Sequence, residues 1–215
     1  GLNFYYAQED VVFEYAAKRG FTWSVHRPHT MIGFVIGNAM NMAVTLACYA
    51  TICKHTGRPF VYPGSTEQYN AVTDVTDARL LAQQLLWTVE TPAAADTPFN
   101  TANGDVFRWT WLWKQIADYF GLPVAEHPGH PTPLVEQMAD APALWAEIVA
   151  KHGLQDIPVD RLASWWHSDA DLGRTLECFT DMTNSRTLGF DAYQPTRSSF
   201  TDVFDELRAR KIIPA

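Results

Sequence analysis

The sequence predicts an α/β fold whose C-terminal part is mainly helical. Apolar residues at helical spacing alternate with short β-rich runs in the first half of the chain. Helical patterns dominate the second half, and we find no internal repeat and no low-complexity tract. With 47% hydrophobic residues among 215, the chain can bury one sizeable core or two small lobes.

The helices are predicted from apolar residues that recur at helical spacing. The first covers residues 4–19, carries Tyr5, Val12 and Ala16 on one stripe, and ends at Gly20. The other predicted helices cover residues 38–56, 78–90, 106–120, 142–152, 160–167, 171–182 and 198–210.

Short strands are predicted over residues 21–27, 58–62 and 99–102. Asp77 is the expected N-cap of the helix that follows it. The expected core-facing stripes are Ala78, Leu81, Ala82, Leu85 and Val89 in that helix, Leu112, Ile116 and Phe120 in the next, and Phe200, Val203, Phe204 and Leu207 in the last.

Composition and charge narrow the classes of partner. The formal net charge is −8 and the basic residues are scattered, which argues against a nucleic-acid partner. The apolar run over residues 39–53 is too short to span a bilayer comfortably, and no signal peptide is visible. Three cysteines without a C-x-x-C motif indicate a reduced protein. We therefore expect a cytoplasmic protein without a membrane partner.

The tyrosine pair Tyr5-Tyr6 is a candidate for proton-transfer chemistry. A tyrosine phenol ordinarily titrates at about pH 10, so it needs a nearby cation, often a lysine, to stabilise the phenolate. The residues four positions after the pair are Glu9 and Asp10, and a carboxylate there opposes phenolate formation. Taken alone, Tyr5 is better explained as a helix tyrosine that packs on a core.

Several short motifs in one order give the chain a family resemblance. They are Asn3-Phe-Tyr-Tyr-x-x-Glu-Asp10, Thr22-Trp-Ser-Val-His-Arg-Pro28, Ile52-Cys-Lys-His55, Asn103-Gly-Asp-Val-Phe107, Trp165-Trp166, Leu188-Gly-Phe190 and Lys211-Ile-Ile-Pro214. Together they resemble the progesterone 5β-reductase/iridoid synthase-like (PRISE) family of atypical short-chain dehydrogenases/reductases. In that family the catalytic lysine comes from an upstream segment, and not from four residues after the tyrosine.

The resemblance implies the C-terminal portion of an extended short-chain dehydrogenase/reductase. Residues 1–34 would end the Rossmann-type domain, residues 35–69 would be a substrate-domain insertion, residues 70–105 would return to the sheet, and residues 106–215 would form a mainly helical substrate-binding part. None of the twelve glycines forms the phosphate-binding G-x-G-x-x-G motif. We therefore expect a fragment that lacks the nucleotide-binding half, has unpaired strand edges and is inactive by itself.

The activity that the resemblance implies is NADPH-dependent reduction of the C=C bond of activated enones, with NADH not excluded. Tyr5 would be the catalytic tyrosine and would steady the developing enolate oxygen. Pro28, Thr30 and Ile32 match positions that bind the cofactor. Where the family usually has Gly-Asn, this chain has His29-Thr30, and a bulky imidazole there alters the loop.

Met40, Trp166 and His167 match substrate-binding positions of the family. A phenylalanine of the family is replaced by His167, which adds a hydrogen-bonding ring, so we expect a smaller or more polar substrate than a steroid. The aromatic residues at 165–166 are equally consistent with core packing. His26 and His29 are expected to be structural, since no third metal ligand is evident.

Two alternatives remain open at this point. The first is a catalytically silent relative that binds or senses a dinucleotide. The second is a carbonyl reductase or epimerase on the same scaffold, which the absence of a lysine four residues after Tyr5 disfavours. A homodimer is compatible with either alternative and with the enone reductase.

Overall fold

The computed structural model of the protein describes residues 3–215. These residues form helices joined by loops and very short strands. In chain order the helices are α1 (Phe4–Arg19), α2 (Met42–Thr56), α3 (Thr66–Asn70), α4 (Ala78–Glu90), α5 (Trp109–Phe120), α6 (Leu134–Gln137), α7 (Ala141–His152), α8 (Val159–Leu162), α9 (Trp165–Leu172), α10 (Thr183–Thr187) and α11 (Thr196–Ala209). The helix ends predicted at Gly20 and Gly57 are confirmed, because both glycines adopt the left-handed backbone conformation that closes a helix.

The strands form three two-stranded pairs within the described residues. In chain order they are β1 (Ser24–Pro28), β2 (Met31–Ile32), β3 (Val72–Thr73), β4 (Thr76–Asp77), β5 (Thr97–Thr101) and β6 (Phe107–Arg108). Strand β1 pairs in parallel with β5 from Ser24 opposite Thr97 to Pro28 opposite Thr101. Strands β2 and β4 are also parallel, whereas β3 and β6 are antiparallel. Parallel strands joined through helices are typical of the predicted α/β class.

Helix α2 lies at the centre of the core. Every residue from Met42 to Cys53 is buried, and the helix contacts α5, α7, α8, α9 and α11. An aromatic cluster beside α2 stacks the rings of Phe60 and Trp113 with centroids 4.3 Å apart. The predicted core faces of α5 and α11 are confirmed, since all seven of their residues are buried.

The predicted apolar stripe of α4 is wrong. Leu85 and Val89 are 46% and 84% exposed, and the buried residues of the helix are Leu80 and Gln84. Trp87 on the same side of α4 contacts Phe99 of β5 edge-on, with ring centroids 5.4 Å apart. The helix buries this face because the Gln84 amide is hydrogen-bonded to His26 and to the carbonyl of Asn100, which removes the penalty for burying a polar group.

Three other predicted elements are corrected by the structure. Residues 58–62 form only one isolated bridge, between Phe60 and Val124, and no strand. The helix predicted over 171–182 is wrong, because α9 ends at Leu172 and the following segment is irregular until α10. Long-range hydrogen bonds hold that segment: Asp74 accepts from Thr180 N at 2.6 Å, and Glu177 accepts from Val72 N at 2.8 Å. The helix predicted over 160–167 is interrupted at residues 163–164.

The loop before α3 is tied closely to the end of α9. The carbonyl oxygen of Leu172 accepts hydrogen bonds from Tyr62 Oη and from Ser65 N, both at 3.1 Å. A Cβ atom placed on Gly64 would lie 2.0 Å from that same oxygen. Only glycine therefore fits at position 64 without moving α9.

The described helices include none that is both long enough and apolar enough to cross a membrane.

Candidate active site

The C-terminal edge of the parallel strands positions the first part of the site. Strand β1 ends at Pro28 beside Thr101, and the chain then passes through His29 and Thr30 into β2. The N–H group of Thr76 donates to the Thr30 carbonyl at 2.9 Å, which fixes this loop. In open α/β sheets, ligands bind at this end of the strands, so residues 28–30 lie where a ligand is expected.

Helix α1 supplies the second part of the site. Its N-cap is Asn3, whose side chain accepts a hydrogen bond from Tyr5 N. Tyr5 lies in the first turn and is 51% exposed. Its ring and Pro28 line the same groove, which has a volume of about 720 Å³. The structure thus brings together the predicted catalytic tyrosine and one of the predicted cofactor-binding residues.

The carboxylate four residues after Tyr5 is neutralised by an ion pair. Arg27 donates to Glu9 through Nε at 2.9 Å and through Nη2 at 2.6 Å. The hydrogen bonds from Arg27 hold the pKa of Glu9 below its ordinary value, and the same pair raises the pKa of Arg27. The adverse charge expected at this position is therefore balanced by Arg27.

Burial favours the neutral form of the histidine that lines the same groove. Burial lowers the pKa of His26, and this outweighs the effect of the hydrogen bond between its Nδ1 and Gln84. Since Arg27 is engaged with Glu9, the described lining residues of the groove offer no unpaired cation to the Tyr5 phenol.

The other predicted cofactor-binding residues have different surroundings. Thr30 is half-buried, and Arg174 Nη2 lies 3.4 Å from its hydroxyl. The side chain of Ile32 is fully buried in the core. Its main chain pairs with Asp77 in β4, so Ile32 fixes the C-terminal side of the loop that follows β1.

The predicted substrate-binding residues are divided between two surroundings. Trp166 is 63% exposed and lines a second groove with Asn38 and Ala39, next to the exposed Met40. His167 is turned inward, and its buried Nδ1 has no hydrogen-bond partner among the described residues. The nearest carboxylate is Asp171, whose Oδ2 lies 3.8 Å from that nitrogen.

A polar chain that the sequence reasoning missed joins the loop after β1 to the end of α9. Arg174 Nη1 lies 2.8 Å from His29 Nε2, and Nη2 of the same guanidinium binds Asp171. On its other side, His29 Nδ1 lies 2.5 Å from Oδ1 of Asp74. A guanidinium only donates hydrogen bonds, so His29 Nε2 must be the acceptor. The ring proton then lies on Nδ1, which donates a hydrogen bond to Asp74.

The sequence held only a weak signal for this chain of contacts. Asp171 and Arg174 stand three residues apart, a spacing typical of an ion pair on a helix. His29 was singled out for its bulk, but Arg174 is 145 residues away in sequence and no local pattern connects the two. Among the described residues, no group of three or more His, Cys, Asp or Glu side chains is placed to hold a metal ion.

The chain is similar to known proteins over almost its whole length. The model of a family described as a PRISE-like Rossmann-fold domain matches residues 2–214. An (S)-8-oxocitronellyl enol synthase from Camptotheca acuminata is 40% identical over 216 residues, covering 99% of this chain and 55% of the relative. A 3-oxo-Δ4,5-steroid 5β-reductase from Arabidopsis thaliana is 38% identical over 215 residues, with the same coverage of both chains. The chain spans about half the length of these curated relatives.

A solved structure supports the fold assignment. The terminal R domain from the myxalamid PKS-NRPS biosynthetic pathway superposes with a TM-score of 0.57 at 14% identity, covering 94% of this chain and 48% of that one. The Rossmann-type α/β class predicted from the sequence is confirmed by the family match and by this structural likeness.

Proposed function

Because the chain belongs to the progesterone 5β-reductase/iridoid synthase-like (PRISE) family, we propose that it carries the catalytic tyrosine and the substrate-binding side of an NAD(P)H-dependent oxidoreductase. The reaction we propose is 1,4-reduction of the C=C bond of activated enones. The curated relatives include an enol synthase and a steroid 5β-reductase, which supports a reductase of this kind.

The observation that carries the proposal is the groove shared by Tyr5 and Pro28. An exposed phenol stands there beside the C-terminal edge of a parallel strand pair, where dinucleotide ligands bind in related folds. Its volume of about 720 Å³ lies in the range of small-molecule sites. The arrangement fits the nicotinamide end of a dinucleotide.

We propose that Tyr5 stabilises the negative charge that develops on the enone oxygen. A hydrogen-bond donor held at that oxygen lowers the barrier most when it is already in place before the reaction. Tyr5 also needs a cation nearby, and we propose a lysine from outside the described residues, as the family resemblance implies. In this arrangement the bound Glu9–Arg27 pair keeps the Glu9 carboxylate from opposing the phenolate.

The cofactor we propose is NADPH, with NADH as the alternative. It would supply the hydride. Pro28 and Thr30 would bracket its nicotinamide through the loop after β1, and Ile32 would hold that loop through its buried side chain.

The substrate-binding residues we propose are Met40, Trp166 and His167. Trp166 and Met40 offer exposed apolar surface, and His167, the next residue along α9, adds a ring that can hydrogen-bond. A hydrogen-bonding group at the site favours a substrate that carries a matching polar group. We therefore propose an enone that is smaller or more polar than a steroid.

The test is NADPH consumption by the full-length protein with a panel of small and steroidal enones. Tyr5→Phe should lower kcat by about 10²- to 10⁴-fold, because it removes the proton donor at the reacting oxygen. Tyr15→Phe is the matched control, since Tyr15 lies on the same helix, is 50% exposed against 51% for Tyr5 and does not line the groove, so kcat should be unchanged. Equal losses in the two variants would contradict the assignment of Tyr5.

A silent dinucleotide-binding relative is the second candidate, and the lack of an unpaired cation among the described groove residues favours it. It predicts NADPH binding, measured by the change in nucleotide fluorescence, without turnover of any enone. Formation of an alcohol or an epimer would instead indicate a carbonyl reductase or an epimerase.

The division of the chain into four segments remains a prediction. A homodimer is also a prediction, and sedimentation analysis tests it.

A further inference from the structure

The loop after β1 and the end of α9 are connected by one side chain, Arg174. The loop carries Pro28 and Thr30, and α9 carries Trp166 and His167, so the two segments present opposite halves of the proposed site. Arg174 follows directly after Gly173 at the end of α9, and its guanidinium reaches across to the loop.

The guanidinium makes a different contact with each segment. Toward the loop, Nη1 lies 2.8 Å from His29 Nε2 and Nη2 lies 3.4 Å from the Thr30 hydroxyl. Toward α9, Nη2 binds the carboxylate of Asp171, which lies in the last turn of the helix. The planar fork of an arginine suits two partners at once, whereas a lysine ammonium is a single point charge.

The loop-side partner of Arg174, His29, is itself held in place. The His29 ring is 15% exposed and binds Asp74, whose side chain is 3% exposed. Asp74 also accepts from the N–H and the hydroxyl of Thr180, at 2.6 and 3.1 Å. The main chain of Arg174 is fixed as well, since its carbonyl accepts a hydrogen bond from Ser65 Oγ. The bridge is therefore short and its ends are fixed.

We propose that Arg174 is a positioning residue that fixes the distance between the cofactor loop and the substrate helix, with His29 as its partner. This rests on the proposed function, because that function gives the two segments their roles. The contact gives the bulky His29 side chain a role, because its imidazole is the acceptor for the Arg174 guanidinium. An error of about 1 Å in relative placement is enough to lower a rate by about 10²-fold.

The test is a double-mutant cycle of Arg174→Ala and His29→Ala in the full-length protein. Each single variant should lower kcat/KM by about tenfold, and the double variant should fall no further, because the two residues act as one unit. The KM values for NADPH and for the enone should rise together, whereas a residue that contacts only one ligand would move one of them. Arg174→Lys should recover only part of the loss.

Arg58→Ala is the matched control. Arg58 makes a comparable ion pair through two nitrogens with Asp140, between elements that carry none of the proposed site residues. Its loss should leave both KM values unchanged. Losses from Arg174→Ala and His29→Ala that multiply, or an equal loss in Arg58→Ala, would overturn the proposal.

Hydrogen exchange separates this proposal from the proposed function. Arg174→Ala should raise amide exchange in residues 29–32 and 165–172 together, whether or not the protein reduces enones. Faster exchange in both segments with no enone turnover would support the bridge and reject the reductase. Unchanged exchange in the cofactor loop would reject the bridge, whatever the activity.

Discussion

Helices α1 and α2 are similar in length and both are rich in apolar residues, but their surroundings are opposite. In α2 every residue from Met42 to Cys53 is buried. In α1 the buried residue is Ala16, while Tyr5, Val11 and Tyr15 are each at least half exposed. Helix α1 is held by specific contacts, such as Phe13 against Trp23 with ring centroids 4.4 Å apart and Glu9 on Arg27.

The contrast between α1 and α2 shows that apolar content predicts a helix but does not predict whether the helix is buried. Buried α2 and the helices that pack on it account for stability, because apolar area removed from water is the main favourable term in folding. Exposed α1 presents the groups that can meet a ligand. Variants in the two regions should therefore separate loss of stability from loss of activity.

The largest effect is expected for Trp113→Ala in the core beside α2. Trp113 is fully buried, stacks on Phe60 and donates from Nε1 to the Phe60 carbonyl at 3.2 Å. Its truncation should lower the free energy of unfolding by about 3–5 kcal/mol, measured by urea denaturation. Trp111→Ala, in the same helix but 45% exposed, should cost less than about 1 kcal/mol. Similar losses of unfolding free energy in Trp113→Ala and Trp111→Ala would contradict the distinction between buried and exposed positions.

Asp77→Asn should have the next largest effect, and one that depends on pH. Burial raises the pKa of Asp77, but hydrogen bonds from the side chain and N–H of Arg79 outweigh it, so the net pKa is lowered. A depressed pKa in the folded state stabilises the protein above the unfolded-state pKa of about 3.9, and this is lost as pH falls through the folded-state value.

We therefore expect Asp77→Asn to cost about 1 kcal/mol at neutral pH, since the asparagine retains the N-cap but loses the charge. The cost should vanish in acid, where the wild-type carboxyl is protonated. Thermal unfolding across a pH series measures the effect. A cost that is constant with pH would show that the ion pair contributes nothing.

A smaller effect, on selectivity and not on stability, is expected for His167→Phe. The change removes the unpartnered Nδ1 and keeps an aromatic ring, so the site becomes more apolar. The ratio of kcat/KM for a steroidal enone over a small polar enone should rise by about three- to tenfold. Unchanged selectivity would mean that His167 does not face the substrate.

The smallest effect is expected for Val11→Ala on α1. Val11 is 54% exposed, so the change removes little packing and should cost less than about 0.5 kcal/mol. The same measurement on Val44→Ala, at a fully buried position of α2, should give a clearly larger cost. If the two costs are equal, α1 is better packed than its exposure indicates.

The sequence predicted those parts of the fold that depend on local pattern. The helix ends at Gly20 and Gly57 and the core faces of α5 and α11 follow from residues close together in the chain. The prediction of the buried face of α4 was wrong because the helix has two apolar sides. Hydrogen bonds between Gln84 and residues outside the helix decide which side is buried. The helix predicted over 171–182 was wrong because hydrogen bonds with residues more than a hundred positions away hold this segment in an irregular form.

In the candidate site too, residues marked by a local pattern could be predicted, and residues that depend on long-range contacts could not. Tyr5 and Pro28 could be chosen from short motifs, and the structure places both at one groove. Arg174 could not be chosen, because its partner His29 lies at the other end of the chain and the pairing exists only after folding. Hydrogen bonds between side chains of distant segments leave no periodic signal in a single sequence.

The contact between Gly64 and the Leu172 carbonyl sets a limit for protein engineers. The sequence of the Trp166-bearing helix can be varied to alter substrate choice, but its tilt cannot be changed independently of the loop that seats it. A directed-evolution library that randomises the helix should therefore keep position 64 fixed, or else redesign both segments as one cassette.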